Sequence, residues 1–287
     1  MLAGCNEGWL AALDRSCQLQ WKIKLSRTKL TALRRHPTDE YLLASGGTDK
    51  CVRLWDLRML GGSGGVSPAK PLVEFAIGAS VNDVSWAPAA AGQSQLLVTA
   101  ANSQLVLLDQ PQLCAADDAG GQRARIDPST LPSSRCAVVE HEHRFYQHLT
   151  PIRATWHPHA LIFAIGRYPA KGSPNPEERG LDLFSTCDAT TAGGGRLARR
   201  VPPEGLGSAT TRTSDLVDGA GTTCWCTWSA RIGAHEVSGV QAGAPAWAPD
   251  GTILASMTGH SIVIYSRQQQ QEQRVQHLSD IKMEKID

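Results

Sequence analysis

Apolar and polar residues alternate along most of this chain in short runs, the period of half-buried strands and not the 3.6-residue period of helices. Four segments share one pattern: an alternating run ending in x-Pro, a short gap, an apolar run, then a second apolar run. The first, from Leu30 to Arg58, reads LTALRRHPTDEYLLASGGTDKCVRLWDLR. The second, VNDVSWAP then QLLVTAANSQLVLLD, spans Val81 to Asp109. The third is PIRATWHPHALIFAIGRYP, from Pro151, resumed by LDLFS at Leu181 to Ser185, and the fourth is APAWAPDGTILASMTGHSIVIYS, ending at Ser266. Each holds three strand candidates bounded by Pro, Gly, Asp or Ser.

Self-similarity at this spacing marks a solenoid or a propeller, and Trp55-Asp56 closing the best copy is the WD-repeat signature. The fold class expected is all-β, a WD-repeat β-propeller with four to five recognisable blades. Before the first full copy, residues 8–25 supply the last two strands of another blade, and the fourth pattern lacks a clear outer strand. That count falls short of a closed ring, which predicts a truncated chain lacking about two blades at its start, since repeats that do not close leave unpaired edges. The propeller is expected over 1–266, with flexible insertions near 61–70, 115–134 and 188–235, where Gly, Ala, Pro and Thr accumulate. Residues 267–287, opening on a Gln run, read as a disordered tail.

A formal charge of +1 over 287 residues announces no nucleic-acid binder in bulk, so such a function must rest on local clustering. One cluster exists: Arg15, Lys22, Lys24, Arg27, Lys29, Arg34 and Arg35 occur before Thr38 with no acid among them. The eight cysteines lack the spacing of a disulfide scaffold and read as reduced thiols of the cytosol or nucleus. No apolar run is long enough for a membrane helix, and the first residues lack the basic start and apolar centre of a signal peptide.

The stretch HEHRFYQHLTPIRATWHPHALIFAIGRYP, from His141 to Pro169, carries the sharpest chemistry. Histidines, an arginine and adjacent aromatics precede a strand-like run, too polar for core. Tyr146, Gln147 and His148 offer a ring, an amide able to pair with base edges and an imidazole, a set suited to wedging between stacked bases. Extruding a base costs a few kcal/mol, less for a damaged one, and a stacked ring recovers roughly 1–3 kcal/mol, so a wedge favours lesions without reading sequence. Blade topology places Arg27 and Lys29, the 141–148 segment and the Gly166–Pro169 turn on one face. Arg58, at the end of a third strand, points to the other.

RFYQHLTPIRATWHP followed by GRYP resembles the family of small WD-repeat subunits of UV-damaged-DNA-binding complexes. The likeness runs from WKIKLSRTKLTAL through LLASGGTDKCVRLWDLR to TILASMTGHSIVIYS and breaks at the Gly- and Ala-rich insertions. It implies recognition of damaged double-stranded DNA by a hairpin that flips bases out, without a cofactor and without enzymatic chemistry. Where the family hairpin carries Phe-Gln-His, this chain has Tyr146, Gln147 and His148. Arg144, Arg167 and Tyr168 match neighbouring DNA-facing positions, and Lys29, with Arg27, falls in the family's basic run.

Asp49, Asp56 and Arg58, in LLAS…D…WDLR, resemble the motif by which WD-repeat receptors dock on the large adaptor subunit of cullin-4 ubiquitin ligases. Nucleotide-excision repair in the nucleus is the implied setting. An equally direct reading has Asp49 and Trp55-Asp56 tightening blade turns, as in any WD repeat. Two alternatives compete: a metal site using His141, His143 and His148, which lacks an acidic ligand at suitable spacing, and a WD scaffold that binds proteins and no DNA.

Overall fold

Short apolar runs joined by tight turns tend to pair with their chain neighbours, and the described residues form nineteen strands in five sheets. The computed structural model of the chain describes residues 1–60, 69–92, 94–115, 125–141, 152–167, 180–186, 226–233, 245–258 and 261–266. The first sheet holds β1 (Leu2–Gly4), β2 (Trp9–Leu13) and β3 (Leu19–Lys24). The second holds β4 (Leu30–Arg35), β5 (Leu42–Gly47), β6 (Cys51–Asp56) and β7 (Val73–Ala76), with a helical turn α1 (Leu57–Leu60) after β6. In the third, β8 (Val81–Trp86), β9 (Gln95–Ala100) and β10 (Gln104–Asp109) lead to the outer strand. Between them and that strand, β11 (Arg125–Ile126) departs to the second sheet; β12 (Cys136–Glu140) then completes the third. The fourth is β13 (Thr155–Trp156), β14 (Ile162–Arg167), β15 (Gly180–Thr186) and β16 (Cys226–Gly233); the fifth is β17 (Pro245–Trp247), β18 (Ile253–Thr258) and β19 (Ser261–Ser266).

Apart from β11, which joins β7 parallel, the strands of each sheet pair antiparallel in chain order, the up-and-down order of a propeller blade. The cores lie between the sheets. Leu42, Ala44, Val52 and Leu54 of the second sheet pack on Val84, Leu96, Val98 and Val106 of the third. The other face of the third sheet, Leu97, Leu105 and Leu107, packs on Trp156, Phe163, Ile165 and Phe184 of the fourth. Likewise Leu43 and Trp55 turn to Leu10 and Ile23 of the first sheet, and Ala164 and Leu181 to Leu254 of the fifth. Strands buried on both faces read as continuous apolar runs such as QLLVTA, and period-2 alternation sorts their residues between two cores.

Polar contacts reinforce these contacts at the inner strands. Trp86 Nε1 donates to the Arg34 carbonyl at 3.2 Å, and Trp156 Nε1 repeats the contact on the Ser85 carbonyl at 3.2 Å. His36 sits edge-on to Trp86 (4.6 Å between centroids) and reaches Ser94 Oγ at 3.0 Å. His157 sits the same way on Trp247 (4.8 Å) and reaches the Gly251 carbonyl at 3.1 Å. The recurring His-Pro and Trp-x-Pro dipeptides are thus two halves of an inter-sheet joint. Inside the second sheet, Trp55 Nε1 donates to Ser45 Oγ at 2.8 Å, both fully buried.

Three expectations need correction. The chain start contributes three strands, because Leu2–Gly4 pairs with Leu10–Ala12 ahead of the two strands read in 8–25. The insertion near 115–134 carries β11, which pairs parallel with Glu74 and Phe75 of β7, and a 3-10 turn at Pro128–Thr130 whose cap, Asp127, accepts from Ser129 N at 2.9 Å. Insertion 188–235 carries β16, registered against β15 along its length. The alternation in CTWSARIG was masked by its Gly- and Thr-rich neighbours. The tail 267–287 lies outside the described residues.

Two outcomes are expected. Ser45→Ala orphans the buried Trp55 indole and should lower unfolding free energy by about 1–3 kcal/mol in denaturant titration. Burial holds the His36 pKa below its usual value, with Asp39 opposing less strongly. The unfolded chain therefore takes up the proton first, so this contribution is present above about pH 6.5 and is lost as pH falls below it. His36→Gln should flatten that part of the stability–pH curve; an unchanged slope would show that the titrating group lies elsewhere.

Candidate nucleic-acid interface

Antiparallel order puts two kinds of connection at one end of the second, third and fourth sheets: the turn between second and third strands, and the passage from the outer strand to the next sheet. Hydrogen bonds tie the two kinds together. Ile77 N donates to the Lys50 carbonyl at 2.9 Å, Ala101 N to Ser80 at 2.8 Å, and His141 N to Ser103 at 2.8 Å. Lys50 and Ser103 hold these turns in the left-handed region, at φ 67° and 66°. Arg27 and Lys29 are exposed at this end, and the Lys29 carbonyl accepts from Thr48 N at 3.1 Å.

Beside them, the 48–50 turn is braced by charge. Arg53 donates to Asp49 Oδ2 at 2.6 Å and to Glu74 Oε2 at 2.7 Å, while Ser26 Oγ also donates to Asp49 Oδ2, at 3.0 Å. Burial lowers the Arg53 pKa, but its bonds to Asp49 and Glu74 outweigh that and leave it raised, so the group is a permanent cation. Arg167, ending β14, lies at the same end, with Nη1 3.7 Å from Asp182 Oδ2. Lys29, the 48–50 turn, His141 and Arg167 therefore share one end of their sheets. Arg144, Tyr146, Gln147, His148 and Tyr168 lie outside the described residues.

Asp56 and Arg58 occupy the opposite end. Arg58 Nη2 donates to Asp56 Oδ2 at 2.7 Å, and the guanidinium lies 4.7 Å from the Tyr41 ring centroid. The hydrogen bonds from Arg58 hold the Asp56 carboxyl below the usual carboxylate range, so the pair remains ionised at neutral pH. Tyr41 and Met59 stand exposed beside it. The grouping of Asp49 with Asp56 and Arg58 is thereby divided. β6, which runs from Cys51 to Asp56 and is about 17 Å long at roughly 3.3 Å per residue, lies between Asp49 at one end and Asp56 at the other. Asp49 braces a turn; Asp56 and Arg58 present a surface.

His141 departs from the reading of its segment as too polar for core. It is buried, with Nε2 3.1 Å from Asp182 Oδ2. The signal was legible in LDLFS, where alternation puts Asp182 on the same buried face as Phe184, and a buried acid demands a partner. No cluster of three or more His, Cys, Asp or Glu positioned for a metal occurs among the described residues, and His143 and His148 lie outside them. Nucleophilic thiols are not presented at either end by Cys51 and Cys136, whose pKa values burial pushes to about 11 and about 12. No helix among the described residues is long and apolar enough to cross a membrane.

The WD domain, G-beta repeat family matches residues 17–56, from β3 through β6. One solved structure, "Crystal Structure of Mitotic Checkpoint Complex", superposes with a TM-score of 0.52 at 17% identity, over 93% of this chain and 60% of that one. With the sheet order and the Trp55–Ser45 bond, these define the class: an all-β WD-repeat chain built of propeller blades, five of them among the described residues. Within that class it is similar to DNA damage-binding protein 2. The protein of that name from Mus musculus is 25% identical over 274 residues, 96% of this chain and 49% of that protein. Its counterpart from Bos taurus is 30% identical over 187 residues, 64% of this chain and 38% of that protein; that of Oryza sativa is 27% identical over 175 residues. This chain spans about half the length of these relatives or less.

Asp49→Ala frees Arg53 and Ser26 together and is expected to cost about 1–3 kcal/mol of stability, measured by thermal unfolding, without disturbing the Asp56–Arg58 pair.

Proposed function

We propose that this chain binds damaged double-stranded DNA with the end of the blades that carries Arg27, Lys29, His141 and Arg167. The observation that carries the reading is the meeting there of Arg167 and the chain leaving His141, in a protein similar to DNA damage-binding protein 2. Exposed guanidinium and ammonium groups neutralise phosphate and hold the duplex in register. Tyr146, Gln147 and His148, in the segment that follows His141, supply the wedge: the ring replaces lost stacking, the amide satisfies exposed base edges, and a damaged base yields first. Arg144 and Tyr168, which match DNA-facing positions of the family, add contacts to the duplex. No covalent chemistry and no cofactor are required.

The opposite end is assigned to protein. Arg58, aimed by Asp56 and stacked on Tyr41, docks on the large adaptor subunit of a cullin-4 ubiquitin ligase, so DNA and adaptor bind to opposite sides of one rigid body. The chain then acts as a substrate receptor in nucleotide-excision repair, in the nucleus.

A competition gel shift tests the first half: a duplex with one UV photoproduct against excess intact duplex of the same sequence. Replacing Tyr146, Gln147 and His148 by Ala should abolish lesion preference and leave weak, salt-sensitive binding to any duplex. Equal loss on both duplexes would refute the wedge. Arg58→Ala should weaken capture of the adaptor about tenfold or more while lesion binding is unchanged, since an aromatic-stacked arginine at the centre of an interface is the usual hot spot. Loss of neither activity would move the docking surface elsewhere.

A further inference from the structure

One buried carboxylate ties together the two segments from which the candidate interface departs. The Asp182 side chain is 2% exposed, accepts from His141 Nε2 at 3.1 Å and faces Arg167 Nη1 at 3.7 Å. An ionised carboxylate only accepts, so the proton between the two stands on Nε2 of the imidazole. The ring is held on its other sides: its edge meets Phe184 at 5.8 Å between centroids, and Phe184 stacks on Phe163 at 5.0 Å and 14°. Its backbone amide is fastened to Ser103, in the turn between β9 and β10 of its own sheet, at 2.8 Å.

The three residues come from different places. His141 follows the outer strand of the third sheet, Arg167 ends β14, and Asp182 stands near the start of β15 in the fourth. A carboxylate in an apolar inter-sheet seam is unfavourable unless it is paired, and apolar residues fill the equivalent faces nearby. Its retention is explained by what it orders.

We infer that Asp182 is a positioning residue for the interface, holding the Arg167 guanidinium and the His141 imidazole in one geometry through a shared carboxylate. The chain leaving His141 and the chain leaving Arg167 then set out from fixed points, and the Arg167 charge meets the duplex already oriented. This rests on the DNA-binding reading above for its purpose, but not for its geometry. The role belongs to the discrimination between damaged and intact duplex, because a wedge and a phosphate clamp act together only if their spacing is preset.

The test uses the full 287-residue chain. Asp182→Asn keeps the shape and removes the charge. It should cut the ratio of affinities for lesion-bearing over intact duplex by about tenfold, the effect of one lost charge-assisted contact, while binding to intact duplex changes little. His141→Gln keeps an N–H donor and should keep the ratio, whereas His141→Ala should not. Leu107→Ala, a loss of packing elsewhere in the same seam, should lower stability and leave the ratio intact. Independently of DNA, hydrogen exchange at pH 7 should quicken in Asp182→Asn both at the His141 amide and in the peptide Ile162–Arg167. Unchanged exchange at either place overturns the positioning role, and so does an equal loss of ratio in Leu107→Ala. If the unaltered chain shows no lesion preference, the DNA reading falls and the exchange result alone decides the positioning.

Discussion

Burial of the middle strands on both faces is the constraint on which the other features depend. β9 contributes Leu96, Val98 and Ala100 to one core and Leu97 to the next, so neither face is available to water. A slip of one residue would exchange the two sets and misplace the polar residues matched to their seams. Thr186 donates to Gln95 Oε1 at 2.9 Å, and Ala154 N to Thr99 Oγ1 at 3.4 Å, each across the boundary between third and fourth sheets. Register within a sheet and contact between sheets are therefore one specification.

With register set, strand ends become fixed coordinates, and chemistry collects there. One end gathers exposed cations around turns held by backbone hydrogen bonds; the other presents an arginine framed by a carboxylate and a tyrosine. The division has an energetic logic. Stacked faces are committed to cores, so only the ends remain free to vary without a cost in packing. A WD-repeat chain can in this way present two chemically unlike ends while its stacked faces stay packed.

Much of this was legible in the sequence, for identifiable reasons. Alternation and the x-Pro punctuation located the inner three strands of the second and third sheets, and the position of Lys29 and Arg167 at one end followed from up-and-down order alone. β1, β11 and β16 were not legible: the first and second are too short to display a period, and the last is embedded in Gly- and Thr-rich surroundings. The pairing of His141 with Asp182 joins residues 41 apart and depends on two sheets meeting, which no local pattern encodes. Asp49, Asp56 and Arg58 were grouped on the resemblance of LLAS…D…WDLR to a docking motif, and the extended strand β6 sets Asp49 at one end and the Asp56–Arg58 pair at the other. The recurring His-Pro and Trp-x-Pro dipeptides were visible as repeats, but their function as two halves of a joint required the neighbouring sheet.

The two residues of β11 carry a consequence for how the chain reaches its native state. Arg125 and Ile126 complete the outer edge of the second sheet by lying parallel to Glu74 and Phe75, and Arg125 Nε approaches Glu74 Oε1 at 3.5 Å. Their place in the chain is after β10. The second sheet thus cannot acquire its last strand until the inner three strands of the third have been made, so assembly does not proceed blade by blade from the first residue. Until then β7 exposes an unpaired edge, the kind that recruits foreign strands. For a chain emerging from a ribosome, the vulnerable interval runs from the synthesis of β7 to that of Ile126, and it is in this interval that a chaperone would have most to protect.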